Sequence, residues 1–306
     1  MRVTLRRILS ATDLSDASLQ AVAHGISLAR QFQAQLLVCH CIDLPAPSIY
    51  GEAYLAPEEQ VNRNIAYAEE RLVEVMAGQG VAWEPLVVVG HAADEIAKLA
   101  RSSGVDIVLA ATRGYRGLKR MLLGSVTERL MRMLPCPLLI IPADEGGGAP
   151  QGMERALRFE KIMVGCDFSS DADLAFQHGL SLAQEFQAEL HLVHVIETPL
   201  YTETLQPVFS HQPASTSAIR KFLQTKLEGL VPADARHWCR PVITLEEGQP
   251  YARLLAYAEH NAIDLIVLGV RGHGLIGTML MGSTTDRVIR RAGCSVLSVC
   301  PRCRGG

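Results

Sequence analysis

The sequence predicts two tandem α/β sandwiches, each built on an open five-stranded parallel sheet, and three observations lead there. The chain repeats itself, each repeat alternates short apolar runs with amphipathic stretches of helical period, and 306 residues is enough for two domains of about 150 residues each. The repeat is direct: "DLSDASLQAVAHGISLARQFQAQLLVCH" (13–40) matches "DFSSDADLAFQHGLSLAQEFQAELHLVH" (167–194) at 13 of 28 positions. A second block, 111–136, matches 269–294 at 10 of 26 positions, with the offset grown from 154 to 158 residues. The second copy therefore carries about four extra residues in its middle. The expected domains are 1–143 and 158–306, joined by a Gly-, Pro- and acid-rich linker at 144–157 that has little to pack with.

The elements of the first copy follow in order. "RILSAT" (7–12), "QLLVCHCI" (35–42), "PLVVVG" (85–90), "DIVLAAT" (106–112) and "PLLIIP" (137–142) are short and apolar on both faces, as strands of a covered parallel sheet are. Between them, 16–32, 58–78, 91–103 and 124–134 have the period of amphipathic helices, with Ser15 and Ser125 as candidate N-caps. The order is β-α-β-α-β-α-β-α-β, which closes into a parallel sheet covered on both faces. Such a sheet binds ligands beyond the carboxyl ends of its strands, where the strand order reverses.

Composition excludes some functions. Charged residues make up 20% of the chain and the net charge is only −3, so an extended basic surface for nucleic acid is not expected. No run approaches the roughly 18 apolar residues of a membrane span, and Asp13 and Asp16 interrupt the amino-terminal apolar run before it could serve as a signal core. A cytoplasmic address is the expectation. The eight cysteines are scattered through apolar runs, as buried reduced thiols are, rather than spaced as a disulfide framework.

The chemistry concentrates in "RGHGLIGTMLMGST" (271–284), which follows the fourth strand of the second copy, "DLIVLGV" (264–270), and precedes a helix. Glycines let a backbone approach an anion closely, and the first N–H groups of a helix have no partners within it. Ser283 with Asp286, and Ser125 with Glu128, also fit a capping box, so a helix cap explains the Gly-Ser pair without a ligand. Gly269, Gly272 and Gly282-Ser283 form G-x2-G-x9-G-S, which resembles the nucleotide-binding signature of the universal stress protein family. "ILSATDLSDAS" and "IMVGCDFSSDAD" resemble that family's first strand ending in Asp, "LLVCHCID" and "LHLVHVIE" its second strand, and "PCPLLIIP" its last. The similarity covers both copies nearly end to end, so the chain resembles a tandem universal stress protein.

The resemblance implies a Rossmann-like fold of the adenine-nucleotide alpha-hydrolase type that binds ATP, with Mg²⁺ as the usual companion of a triphosphate. It assigns Gly269, Gly272, Gly282 and Ser283 to the phosphates, and Asp167 and Val195 to the ribose and adenine. Arg271 recurs as Arg113 and is suited to screening phosphate charge, although a solvated surface Arg accounts for it equally. The first copy offers a second site at Asp13, Cys41, Arg113, Gly114, Gly124 and Ser125. There, Ala111 replaces the first glycine, and a Cβ at that position would crowd a ligand or forbid a positive φ, which ranks the second copy's site above the first. Without a ligand, Asp13 and Asp167 read as N-caps of the helices beginning at 16 and 170, and the strand-end His40 and His194 as packed, hydrogen-bonded residues.

Other constellations fail. There is no Walker A Lys, no G-x-S-x-G elbow and no H-E-x-x-H, so no catalytic residues and no metal site are assigned and efficient ATP turnover is not expected. The lone C-x-x-C of Cys300 and Cys303 offers two of the roughly four ligands zinc needs and reads as a buried Cys300 and a free Cys303, and the spacing of His211, His237 and Cys239 does not support a metal site. The basic run 113–120 reads as a charged surface loop or an anion contact with no counterpart in the second copy. The fifth strands, 138–141 and 295–299, are apolar edges that invite pairing, and in the resembled family domains pair through this strand. Pairing of the two copies within the chain is expected, and dimerisation between chains is compatible with the same edge. The function expected is an ATP-binding stress-response module. A slow ATPase or phosphotransfer enzyme of the same fold, and a carrier or scaffold for a different ligand, fit the same residues.

Overall fold

A computed structural model describes residues 3–43, 58–112, 123–142, 158–197, 213–239, 241–271 and 281–299. The chain divides into two compact units, one built on the sequence from Thr4 and the other on Arg158–Val299. The linker expected at 144–157, the basic run 113–120, His211 and the Cys300/Cys303 pair lie outside the described residues.

The first unit runs β1 (Arg7–Thr12), α1 (Asp16–Phe32), β2 (Gln35–Ile42), α2 (Glu58–Met76), β3 (Trp83–Val89), α3 (Ala92–Ser102), β4 (Ile107–Ala111), α4 (Ser125–Met133) and β5 (Leu138–Ile141). Its strands are all parallel, in the order β3-β2-β1-β4-β5. The second unit repeats this with β6 (Lys161–Gly165), α5 (Ser170–Phe186), β7 (Glu189–Ile196), α6 (Pro213–Leu230), β8 (Val242–Glu247), α7 (Pro250–His260), β9 (Leu265–Gly269), α8 (Ser283–Arg291) and β10 (Ser295–Val299). Its order, β8-β7-β6-β9-β10, is also fully parallel. The insertion in the second copy includes a 3-10 turn, Ala235–His237, between α6 and β8.

The burial explains why the strands read as continuous apolar runs. Every residue of β4, β5 and β10 is buried, and in β1 only Arg7 is exposed, because right-handed crossovers place helices on both faces of each sheet. Two glycines set how closely helices approach the sheets. A Cβ on Gly25 of α1 would lie 2.1 Å from Ser10 Oγ, and one on Gly179 of α5 would lie 2.4 Å from Val164 Cγ2. Both are the Gly of the repeated "HG-x-SLA", so the duplicated motif marks a packing requirement.

Strand order reverses between β1 and β4 in the first unit and between β6 and β9 in the second. The crevice outside the carboxyl ends of these strands is where this architecture places ligands. Among the described residues, no helix is long and apolar enough to cross a membrane.

Candidate functional site

In the second unit, four chain segments converge at the reversal point. β6 ends at Gly165 and leads into Cys166-Asp167, β7 carries His194-Val195 just before its last residue, β9 ends in Gly269, and α8 begins at Ser283. His194 fastens two of them through Nδ1, 2.6 Å from the carbonyl oxygen of Cys166. His40 does the same in the first unit, 3.0 Å from Thr12 O. Both histidines are structural ties between adjacent strands.

Asp167 does not cap α5. Ser169 is the N-cap, its Oγ accepting from Ala172 N at 3.2 Å. Asp167 Oδ1 instead accepts from the Ser169 backbone N–H (2.9 Å) and hydroxyl (2.5 Å). The first unit copies this, with Ser15 as the cap and Asp13 Oδ1 accepting from Ser15 N and Oγ at 3.1 and 2.5 Å. The alternative reading of Asp13 and Asp167 as N-caps therefore fails, while Ser15 is the cap that the sequence offered for α1. The turn each Asp makes with its Ser sets the carboxylate at the strand end, and Asp167 Oδ2 has no hydrogen-bond partner among the described residues. The residues that follow, Leu14 and Phe168, both have φ of +64°, a left-handed conformation that is costly for bulky side chains and tends to gather at functional sites. Phe168 is held there by His194, with ring centroids 4.8 Å apart, and by Lys226 Nζ, 4.0 Å from the ring centre.

The capping boxes expected at Ser125 and Ser283 do not form. The N-caps are Gly124 (φ −60°, ψ 141°) and Gly282 (φ −60°, ψ 138°), neither with a side-chain cap. The two serines are the first helical residues, and both are exposed. A glycine cap offers no oxygen to the first-turn N–H groups, which stay available to an anion. The helix start is anchored another way. Gly282 N donates to Val270 O at 2.8 Å, and Thr285 Oγ1 donates to Gly269 O at 2.7 Å. Gly124 N to Thr112 O (2.8 Å) and Thr127 Oγ1 to Ala111 O (2.9 Å) repeat the arrangement. Thr127 and Thr285 were not singled out from the sequence, although they are identical in the aligned repeats.

Gly269 serves a purpose other than the one its motif suggests. Its φ is not positive, and a Cβ on it would lie 2.7 Å from both the carbonyl carbon and Cβ of Asp171 and 2.9 Å from Asp171 O. The glycine lets β9 and the first turn of α5 touch. Asp171 is 3% exposed and receives the Arg271 backbone N–H at 3.1 Å and its Nε at 3.2 Å, both on Oδ2. Nothing in the sequence pattern singled out Asp171, because its partner is 100 residues away.

The structure thus gathers Asp167, Gly269, Arg271, Gly282 and Ser283 around one end of the second sheet, with Val195 on the neighbouring strand β7. Gly272 lies outside the described residues, as do Arg113 and Gly114 of the first unit. Of the first unit's remaining candidates, Gly124 and Ser125 match their counterparts, Asp13 is exposed, and Cys41 replaces Val195. The Cys41 Sγ donates to Gly90 O at 3.3 Å, and burial, aided by the Asp43 and Glu95 carboxylates, pushes its thiol up to about 11, so it is not a thiolate. Among the described residues, no three His, Cys, Asp or Glu side chains group as a metal site, and Cys239 is buried with its thiol raised by that burial.

The sequence profile of the universal stress protein family matches residues 4–142 and again 158–299. The chain belongs to the universal stress protein family. It carries two of the family's domains in one polypeptide. Single-domain relatives align with about half of it. A universal stress protein of Methanocaldococcus jannaschii is 30% identical over 138 residues, covering 44% of this chain and 81% of the relative. Universal stress protein YxiE of Bacillus subtilis is 33% identical over 145 residues, covering 44% and 97%. The crystal structure of a universal stress protein from Archaeoglobus fulgidus matches the whole fold with a TM-score of 0.68 at 22% identity, covering 97% of this chain and 98% of that one.

Proposed function

We propose that this protein is an ATP-binding regulatory member of the family, acting in a cytoplasmic stress response, with nucleotide held in the second domain. The observation that carries the reading is the uncapped start of α8 at the strand-reversal point. Its N–H groups and the exposed Ser283 hydroxyl face no side-chain cap, while the Asp167 carboxylate stands at the neighbouring strand end. A polyphosphate suits the first pair of groups, since a helix start favours negative charge, and ribose hydroxyls suit the free carboxylate oxygen. Gly269, Arg271, Gly272, Gly282 and Ser283 are assigned to the phosphate side, and Asp167 and Val195 to the nucleoside. ATP would arrive with Mg²⁺ bound mainly by its own phosphates.

The first domain's Asp13, Cys41, Arg113, Gly114, Gly124 and Ser125 form a weaker counterpart, because Ala17 and Ala111 stand where the second domain has Asp171 and Gly269. The absence of a Walker A Lys from the sequence argues for a bound nucleotide that changes conformation or partner choice instead of turning over. Pairing of domains through the apolar fifth strands, within a chain or in a homodimer, belongs to the same reading.

The test is nucleotide analysis of protein purified without added ligand, followed by ATP titration of the wild type, Gly272→Val and Asp167→Ala. Co-purified ATP near one per chain, lost in both variants, is the expected result. No ATP binding up to millimolar concentration would overturn the reading, leaving the glycine stretch as a turn.

A further inference from the structure

The two domains differ at one buried pair. In the second, Asp171 sits in the first turn of α5 with its side chain 4% exposed, and it holds Arg271 through both the backbone N–H and Nε. Gly269 makes this possible, since any Cβ there would strike Asp171. In the first domain the corresponding positions are Ala17 and Ala111, so no carboxylate stands where Asp171 does. Two differences between the repeats, Asp171 for Ala17 and Gly269 for Ala111, thus serve one device: a carboxylate, the guanidinium it fixes, and the glycine that lets them approach.

A carboxylate this buried is tolerated when it is paired, and Arg271 is its ion-pair partner among the described residues. The pairing uses Nε, the inner edge of the guanidinium. The Arg271 side chain remains 34% exposed, and its two terminal amino groups make no hydrogen bond among the described residues. They are two parallel-facing donors on a planar group whose orientation is set from behind, the arrangement suited to a phosphate. The Ser169 hydroxyl, which caps α5 and contacts Asp167, also lies 3.4 Å from the Arg271 carbonyl, linking the two sides of the site.

We infer that Asp171 is a positioning residue that locks Arg271 as a phosphate ligand and makes the second domain select nucleotides by their phosphate charge. This rests on the nucleotide reading above and deepens it: the ligand is a polyanion, held by Arg271 in addition to the start of α8, and the first domain lacks the device. A freely rotating surface Arg would give a smaller and more salt-sensitive preference, because it would lose side-chain freedom on binding.

The experiment is calorimetric titration of the full chain with ATP and with adenosine, for the wild type, Asp171→Asn and Arg271→Lys, at two salt concentrations. The expected result is a loss of the ATP-over-adenosine ratio by about tenfold in Asp171→Asn, in keeping with one charge-assisted contact. Arg271→Lys keeps the charge but lacks the Nε donor, so it should lose the ratio as well, and it also stands in if Asp171→Asn fails to fold. A purely structural Asp171 would lower the melting temperature and leave the ratio alone. Wild-type binding of ATP with an unchanged ratio in both variants overturns the inference only. No ATP binding by the wild type overturns it together with the proposed function.

Discussion

Gly269→Ala tests the packing and the site together. The added Cβ would lie 2.7 Å from two carbon atoms of Asp171 and 2.9 Å from its carbonyl oxygen, and two of these three are backbone atoms with no rotamer to escape into. Ordinary carbon contacts begin near 3.5 Å, so β9 and the first turn of α5 must separate by several tenths of an ångström. Overpacking of this kind costs about 1–3 kcal/mol. The loss of backbone freedom in the unfolded chain returns about 0.4–1 kcal/mol, because the φ of Gly269 is one that Ala can adopt. The net is a destabilisation of about 1–2 kcal/mol, which for a unit of this size lowers the unfolding midpoint by roughly 3–6 °C. Because the same movement carries Asp171 away from Arg271, ATP affinity should fall with stability. Thermal and urea unfolding by circular dichroism, followed by ATP titration below the transition, measures both. A variant as stable as the wild type with undiminished affinity would refute the contact argument, and with it the reason given for preferring the second domain to the first.

Four further outcomes are expected. Gly179→Ala should destabilise through its 2.4 Å approach to Val164 Cγ2, and the same change made with Val164→Ala should be milder by about 1 kcal/mol or more in a double-mutant cycle, because the opposing methyl is gone. Thr285→Val removes the 2.7 Å bond from Oγ1 to Gly269 O and should cost about 1–2 kcal/mol in urea unfolding, with Thr127→Val costing a similar amount in the first domain. Ser169→Ala removes the cap of α5 and should cost about 1 kcal/mol, as urea unfolding would report. Burial pulls His178 down from 6.5 to about 4, so between those values the unfolded chain takes up a proton that the folded one refuses. Stability contributed by neutral His178 is then complete above pH 6.5 and falls as the pH drops toward 4, by on the order of 3 kcal/mol in all. Denaturant unfolding between pH 7.5 and 4.5 should show this slope, and His178→Gln should flatten it.

Much of the fold was legible before any coordinates because duplication and hydrophobic period are local properties. Helix 16–32 was read to the residue, since a Ser cap precedes it, an apolar stripe runs along it and the strand "QLLVCHCI" follows it. The first helix of the second copy follows by repetition. The motif residues Asp167, Gly269, Gly282 and Ser283 were equally visible, as their spacing lies within short stretches of chain. The roles of some were not. Asp167 looked like a cap, and Ser283 like half of a capping box, because sequence shows which residue types stand near a helix start but not which one has the non-helical dihedrals. Ser169 and Gly282 hold those positions instead.

By itself, then, the amino-acid order determined two parallel α/β domains, the strand ends at which such a sheet places ligands, and the family to which the chain belongs. The tertiary structure decided why the two domains differ. Asp171, Arg271 and Gly269 meet across about 100 residues of chain. A buried carboxylate and a missing Cβ acquire meaning only when packing brings their partners within 3 Å or so, and no periodicity along the chain encodes that distance.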